Sequence, residues 1–195
     1  MRASVTLTLL AAVLACPRSD RPISDGRSEG MASLEVIEAV ISEYLTPSEH
    51  GPAVVVARTS LVDRYERPHE FVESSDVVEQ LNVSQTLVYD FLRANQQPLS
   101  ISTVRGRVRL VAPSDVARRV GESPSEYWQR IWKDFGDRGF WVFAAPAIGS
   151  DAPETALMYI ENMRGPRDAR GIFLLLRREP IGRWIVVATH EVPIA

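Results

Sequence analysis

Three arginines, Arg105, Arg107 and Arg109, alternate with Gly106 and Val108 in one short run of the chain. On an extended strand a period of two sets their guanidiniums in a row and turns Val104, Val108 and Leu110 to the other face. Planar guanidinium forks suit carboxylate and phosphate, so this row is a candidate anion or lipid-headgroup site. The competing reading is a solvated face paired with Asp or Glu of a neighbouring strand. The chain has three histidines, His50, His69 and His190. His190 with Glu191, brought near His69, would make a base or a ligand set, because imidazole titrates near neutrality; the plainer reading is three unrelated turn and surface positions. Trp128, Trp132, Trp141 and Trp184 suit either an aromatic-lined pocket or the core. Asp134, Asp137, Asp151 and Glu154 stand near turns, and no two are spaced for acid–base work. There is no Gly-X-Ser-X-Gly elbow, no zinc-protease histidine pair, no phosphate-binding Gly-Lys-Ser/Thr loop and no EF-hand. The residue types therefore point to no catalytic set, no metal and no cofactor.

The one strong chemical signal lies at the N-terminus. Arg2 and the terminal amine precede the uncharged run Ala3 to Ala15, which is rich in Leu, Ala and Val. This has the length of a signal-peptide core and is short of the roughly 20 apolar residues that a membrane span needs. It ends in Val13-Leu14-Ala15-Cys16, and Cys16 is the only cysteine of the chain. A lone cysteine makes no internal disulfide, and a free thiol in an oxidising envelope needs a reason. The four residues resemble the lipobox of bacterial lipoproteins. The resemblance implies that Cys16 carries diacylglycerol, becomes the new N-terminus and ties the protein to a membrane. An ordinary cleaved signal with a cysteine near the cut, and a start at Met31, are the alternatives. Residues 1–15 are thus read as signal peptide. Residues 16–32 are read as lipidated cysteine and flexible tether, since Pro17 to Gly30 is polar and rich in Pro, Gly, Ser and Asp. Residues 33–195 are read as the folded part.

The elements that must position any site follow from periodicity. Leu34, Ile37, Val40, Ile41, Tyr44 and Leu45 share a helical face, with Ser33 as cap and Pro47 as stop. Val54, Val55 and Val56 predict a strand within Pro52 to Val62. Arg64 to Glu73, interrupted by Pro68, reads as a loop, and Asp76 to Leu81 as a short helical turn. Ser84 caps a helix from Gln85 to Asn95 with Leu87, Val88, Phe91 and Leu92 inward. Ser102 to Val111 predicts a strand, followed by a turn and short helix at Pro113. Ser123-Pro124-Ser125-Glu126 is a capping box with proline at the first helical position. Trp128, Ile131, Trp132 and Phe135 then form an apolar stripe that ends at Gly136, which makes this helix the expected main lid on the sheet. Four strands close the chain: Phe140 to Ile148, Thr155 to Glu161, Ile172 to Arg178 and Trp184 to His190. Their short connections favour an antiparallel meander. Leu157 and Tyr159 face one way and Ala156, Met158 and Ile160 the other, so both sheet faces need a cover. The expected class is α+β, with N-terminal and central helices packed on a C-terminal antiparallel sheet of four to six strands, free to curve strongly.

The C-terminal half also carries a resemblance. Tyr127-Trp128-Gln129-Arg130-Ile131-Trp132-Lys133-Asp134-Phe135 with Gly139, then Glu154-Thr155-Ala156-Leu157-Met158-Tyr159, Gly171-Ile172-Phe173-Leu174-Leu175-Leu176 and Gly182-Arg183-Trp184-Ile185-Val186 resemble a bacterial family of uncharacterised secreted proteins and lipoproteins. Thr86-Leu87, Phe91 and Asn95-Gln96-Gln97-Pro98 extend it upstream, so that it covers roughly Thr86 to Val192. The chain departs from that pattern at Ala144 to Gly149 and lacks the cysteines that the family often has in the hairpin here spanning Asn162 to Arg170. The resemblance implies export and an α+β fold, and no activity or site residues.

The balance of 22 basic and 25 acidic residues, net −3, lacks the basic footprint of a general nucleic-acid binder. Lys133 is the only lysine, a sign of GC-rich coding and not of function. The expectation is an exported cell-envelope lipoprotein, on the periplasmic or surface side, acting as an interaction or accessory domain on a protein partner or as a homodimer. The first alternative is a small-ligand binder built like the cone-shaped nuclear-transport-factor-2 superfamily. The weaker alternative is an envelope hydrolase.

Overall fold

The computed structural model describes residues 26–45, 52–58, 61, 65–104 and 108–194. Cys16, the signal segment, His50, Arg105 and Arg107 lie outside the described residues. Six helices and seven strands are described: α1 (Gly26–Tyr44), β1 (Ala53–Val56), α2 (Pro68–Ser74), α3 (Val77–Leu81), α4 (Gln85–Ala94), β2 (Val108–Val111), α5 (Pro113–Val116), α6 (Pro124–Phe135), β3 (Phe140–Phe143), β4 (Ala147–Ile148), β5 (Thr155–Gly165), β6 (Asp168–Arg178) and β7 (Trp184–Pro193). The fold is α+β. All seven strands belong to one mixed sheet of order β2-β1-β3-β5-β6-β7, with β4 also paired to β5.

The meander over β5, β6 and β7 is antiparallel, as the short turns require. The expectation of an antiparallel sheet throughout is corrected at β1, which runs parallel to both β2 and β3. Parallel neighbours need long crossovers, and the chain supplies them: α2 to α4 lie between β1 and β2, and α5 and α6 between β2 and β3. β1 is buried at all four positions, as a central strand covered on both faces should be.

Both faces are indeed covered. On one side α1 lays Val36, Ile37, Val40, Ile41 and Leu45 over Val55, Phe143, Ala156, Met158, Ile160, Ile172, Leu174, Leu176 and Trp184. On the other, α2 to α4 cover Leu157, Tyr159 and Phe173 with Val72, Val77, Leu81, Leu87 and Phe91. Beside them α6 sets Trp128 and Ile131 on Val54, Val56, Val111, Phe140 and Val142. The main-lid role expected of α6 is therefore corrected: it covers the β1–β3 end and shares the work with α1 and with α2 to α4. Its capping box forms as read, Ser123 Oγ accepting from Glu126 N and Glu126 accepting from Ser123 N.

Local differences have local reasons. α1 begins at Gly26 and so takes in the last residues of the segment read as tether. Once an apolar stripe has nucleated a helix, extending it through polar residues is cheap. Arg64 to Glu73 is not all loop, because Pro68 starts α2 at its first turn, where a missing N–H costs nothing. The strand read over Phe140 to Ile148 is broken into β3 and β4 at Ala144-Ala145-Pro146. Gly139, at φ +62°, faces the Met163 carbonyl so closely that any Cβ would collide with it, which fixes how the chain enters β3.

Candidate functional site

The break between β3 and β4 organises the surroundings of an open groove. Asn95, 3% exposed at the end of α4, fills the break with its side chain. Its Nδ2 donates to the Ala145 carbonyl at 2.8 Å and to the Phe91 carbonyl at 2.9 Å, and its Oδ1 accepts from Ala145 N at 2.8 Å. A primary amide thus satisfies backbone groups that the broken strand leaves without a ladder partner. This ties the C-terminal end of α4 to the start of β4.

A groove of about 720 Å³ opens there, lined by Ala32 and Ser33 of α1, Asp90, Arg93 and Ala94 of α4, and Pro146, Ala147, Ile148 and Ser150. Its apolar lining is Ala32, Ala94, Pro146, Ala147 and Ile148. Its one charged feature is built asymmetrically. The Asp90 side chain is 9% exposed and the Arg93 side chain 73%. Asp90 Oδ1 accepts from Arg93 Nη2 at 2.9 Å and Oδ2 from Ser150 N at 2.8 Å. Both carboxylate oxygens are engaged, as a buried acid requires, while the guanidinium stands out at the rim. Asp151, next in the chain, accepts from the α4 cap Ser84 at 3.3 Å.

The space between the sheet and α2 to α4 is packed with aromatic rings. Tyr65, Phe71, Tyr159 and Phe173 pack ring to ring with centroids 3.9–6.3 Å apart. Tyr65 Oη and Tyr159 Oη are hydrogen-bonded at 2.9 Å, over Gly171, where a Cβ would collide with Tyr159. Beside them Glu161, 1% exposed, borders a cavity of about 10 Å³ lined also by Leu61, Tyr65, Val142, Phe143, Ala144 and Tyr159. That is room for about one water.

Of the residues singled out from the sequence, Arg109, His69, His190, Glu191 and the four tryptophans are described. Arg109 lies on β2, and its Nη1 donates to the Asp134 carbonyl at 3.3 Å while its guanidinium sits 5.4 Å from the Phe135 ring centre. It serves the C-terminal end of α6, where carbonyls lack helical partners. His190 and Glu191 point to opposite faces of the sheet, opposite Phe173 and Ile172 respectively. His190 Nε2 is bonded to the Ser75 carbonyl at 2.8 Å, and His69 is exposed on α2. Trp128 and Trp184 are core, whereas Trp132 is 43% exposed and donates Nε1 to the Arg164 carbonyl. The four tryptophans line no common pocket. Among the described residues no three His, Cys, Asp or Glu side chains gather as a metal set, and no helix is long and apolar enough to cross a membrane.

The strongest shift of a titrating group is structural. Glu122 and Arg130, whose side chains are 10% and 12% exposed, pair at 2.9 Å. Arg130 also donates to the Asp115 and Ala117 carbonyls. Hydrogen bonding from Arg130, then from the Arg119 amide, holds the Glu122 carboxyl down at about 2. This cluster staples α5 to α6. Sequence reasoning missed the groove, because Asp90, Arg93 and Ser150 have no motif spacing; the only sequence signal is an acid three residues before an arginine on a helix, a common surface pair. No protein-family model, curated protein or solved structure matches this chain.

Proposed function

We propose that this chain is an exported lipoprotein of the bacterial cell envelope, anchored through Cys16, whose folded part works by binding and not by catalysis. The observation that carries the reading is the uncharged leader ending in Val13-Leu14-Ala15-Cys16, with the chain's sole cysteine at the lipidation position. Residues 17–25 then give a short polar link before α1 begins. The family resemblance over the C-terminal half points to the same compartment. The site chemistry favours binding over hydrolysis: Asp90, Asp115, Glu122 and His190 each serve a structural bond.

Metabolic labelling with an alkyne fatty acid, followed by membrane fractionation, tests the anchor. The parent chain should take up label and sediment with membranes. The Cys16→Ala chain should do neither. Membrane retention of the parent without acyl label would overturn the reading.

A further inference from the structure

We propose that the groove between α1, α4 and β4 binds an anionic single-chain amphiphile, its head group on Arg93 and its chain along Ala94, Pro146, Ala147 and Ile148. The opening, about 720 Å³, is within the range of small-molecule sites, which combine an apolar lining with a few placed polar groups. Here the apolar lining is Ala, Pro and Ile. The polar groups are Ser33, Asp90, Arg93 and Ser150.

The Asp90–Arg93 pair decides the charge of the ligand. The pair is neutral as a whole, but the two ions are not equally presented. Asp90 is sunk and has both oxygens occupied, one by Arg93 and one by the Ser150 amide. What meets an incoming molecule is the guanidinium, 73% exposed. A guanidinium has five N–H donors in a fixed fork, and the pair with Asp90 uses Nη2 alone. Asp90 therefore orients Arg93 and leaves the fork able to take a carboxylate or phosphate edge. A cationic head would meet like charge, and a neutral head would forgo the fork.

The position of the groove on the chain indicates the source, and this step rests on the reading of Cys16 as lipidated. Residues 17–25 separate Cys16 from α1 and span at most about 30 Å when extended. Ser33 lies a further ~10 Å along the helix. The groove is thus held within about 40 Å of the anchor, beside the membrane that would supply the amphiphile.

The test uses oleate as probe and the Cys16→Ser chain, full length otherwise and free of acyl groups, so that the binding result stands apart from the acyl-labelling result for Cys16. Oleate displacing a dansylated fatty acid should saturate at one molecule per chain. Ala94 is exposed, so Ala94→Trp fills the groove without touching the core; it should abolish binding while circular dichroism and melting stay as in the parent. Arg93→Gln should weaken oleate about tenfold, the loss of one charged contact. Methyl oleate, which lacks the charge, should bind the parent about tenfold more weakly than oleate does. Absence of saturation, undiminished binding to Ala94→Trp, or equal affinity for oleate and its methyl ester would each overturn the proposal.

Discussion

At the scale of single residues, buried polar side chains here complete the backbone instead of doing chemistry. Asn95 is the clearest instance, with three hydrogen bonds of 2.8–2.9 Å from a side chain that water does not reach. Asn95→Ala would leave the Ala145 amide and carbonyl buried without partners, at a cost of about 3 kcal/mol, since each such group costs roughly 1–3 kcal/mol. Urea unfolding of the variant checks it: the midpoint should fall with little change in slope. Glu122 makes a pH-dependent contribution. Its carboxyl is held at about 2, against an ordinary 4.5, chiefly by Arg130. A carboxyl depressed by folding stabilises the fold above its unfolded value, and that stabilisation is lost as pH falls through the folded one. Glu122→Gln should therefore melt below the parent at pH 7, and the gap should close between about 4.5 and about 2. A gap that persists at the acid end of that window would mean that the variant loses more than the carboxylate charge, and no gap at pH 7 would mean that Arg130 is held by the Asp115 and Ala117 carbonyls alone.

At the scale of elements, caps and edges matter most. Ser123→Ala removes the acceptor for the Glu126 amide at the start of α6 and should cost about 1 kcal/mol, read as a lower melting temperature. The sheet ends at β7, and a ten-residue edge strand invites pairing with another chain. Three features blunt it. The register slips at Leu175/Leu176 opposite Val187, Pro193 ends the strand with no donor, and Glu43 of α1 accepts the Val186 amide at 3.1 Å while it pairs with Arg183 at 3.5 Å. Glu43→Ala should uncover the Val186 amide and raise concentration-dependent association in light scattering; association equal to that of the parent would show that the bulge and proline suffice. Most of the helices are legible in the amino-acid sequence. Ser84 and Ser123 stand where a cap oxygen must be, with apolar residues at helical spacing behind them. α2 is not, because Pro68 opens a helix as readily as it breaks one.

At the scale of the whole molecule, three apolar clusters make a sheet sandwiched between helices. α1 is the described helix over one face, with Ile101 packed in the same cluster and Val36, Ile37 and Val40 fully buried. Ile37→Ala should thus cost about 3 kcal/mol and loosen an entire sheet face, seen as faster amide exchange in β5 and β6 than the same loss of stability produces from a variant in the α6 cluster, such as Ile131→Ala. Native mass spectrometry of the intact chain addresses assembly. With both faces covered and β7 blunted, a monomer is the expected outcome, and a dimer would direct attention to the β2 edge.

What the sequence determined alone was short-range: the capped helices, the C-terminal hairpins, and the need for cover on both sheet faces. Each of these follows from neighbours within one turn or one strand, where spacing translates directly into geometry. What the tertiary structure decided was long-range. The parallel placement of β1, the Asn95 amide reaching Ala145 fifty positions away, the parting of His190 from Glu191, and the groove with Arg93 at its rim all depend on which distant segments meet. Contacts of that kind are selected by the packing of the whole core, where no local pattern of residue types records them.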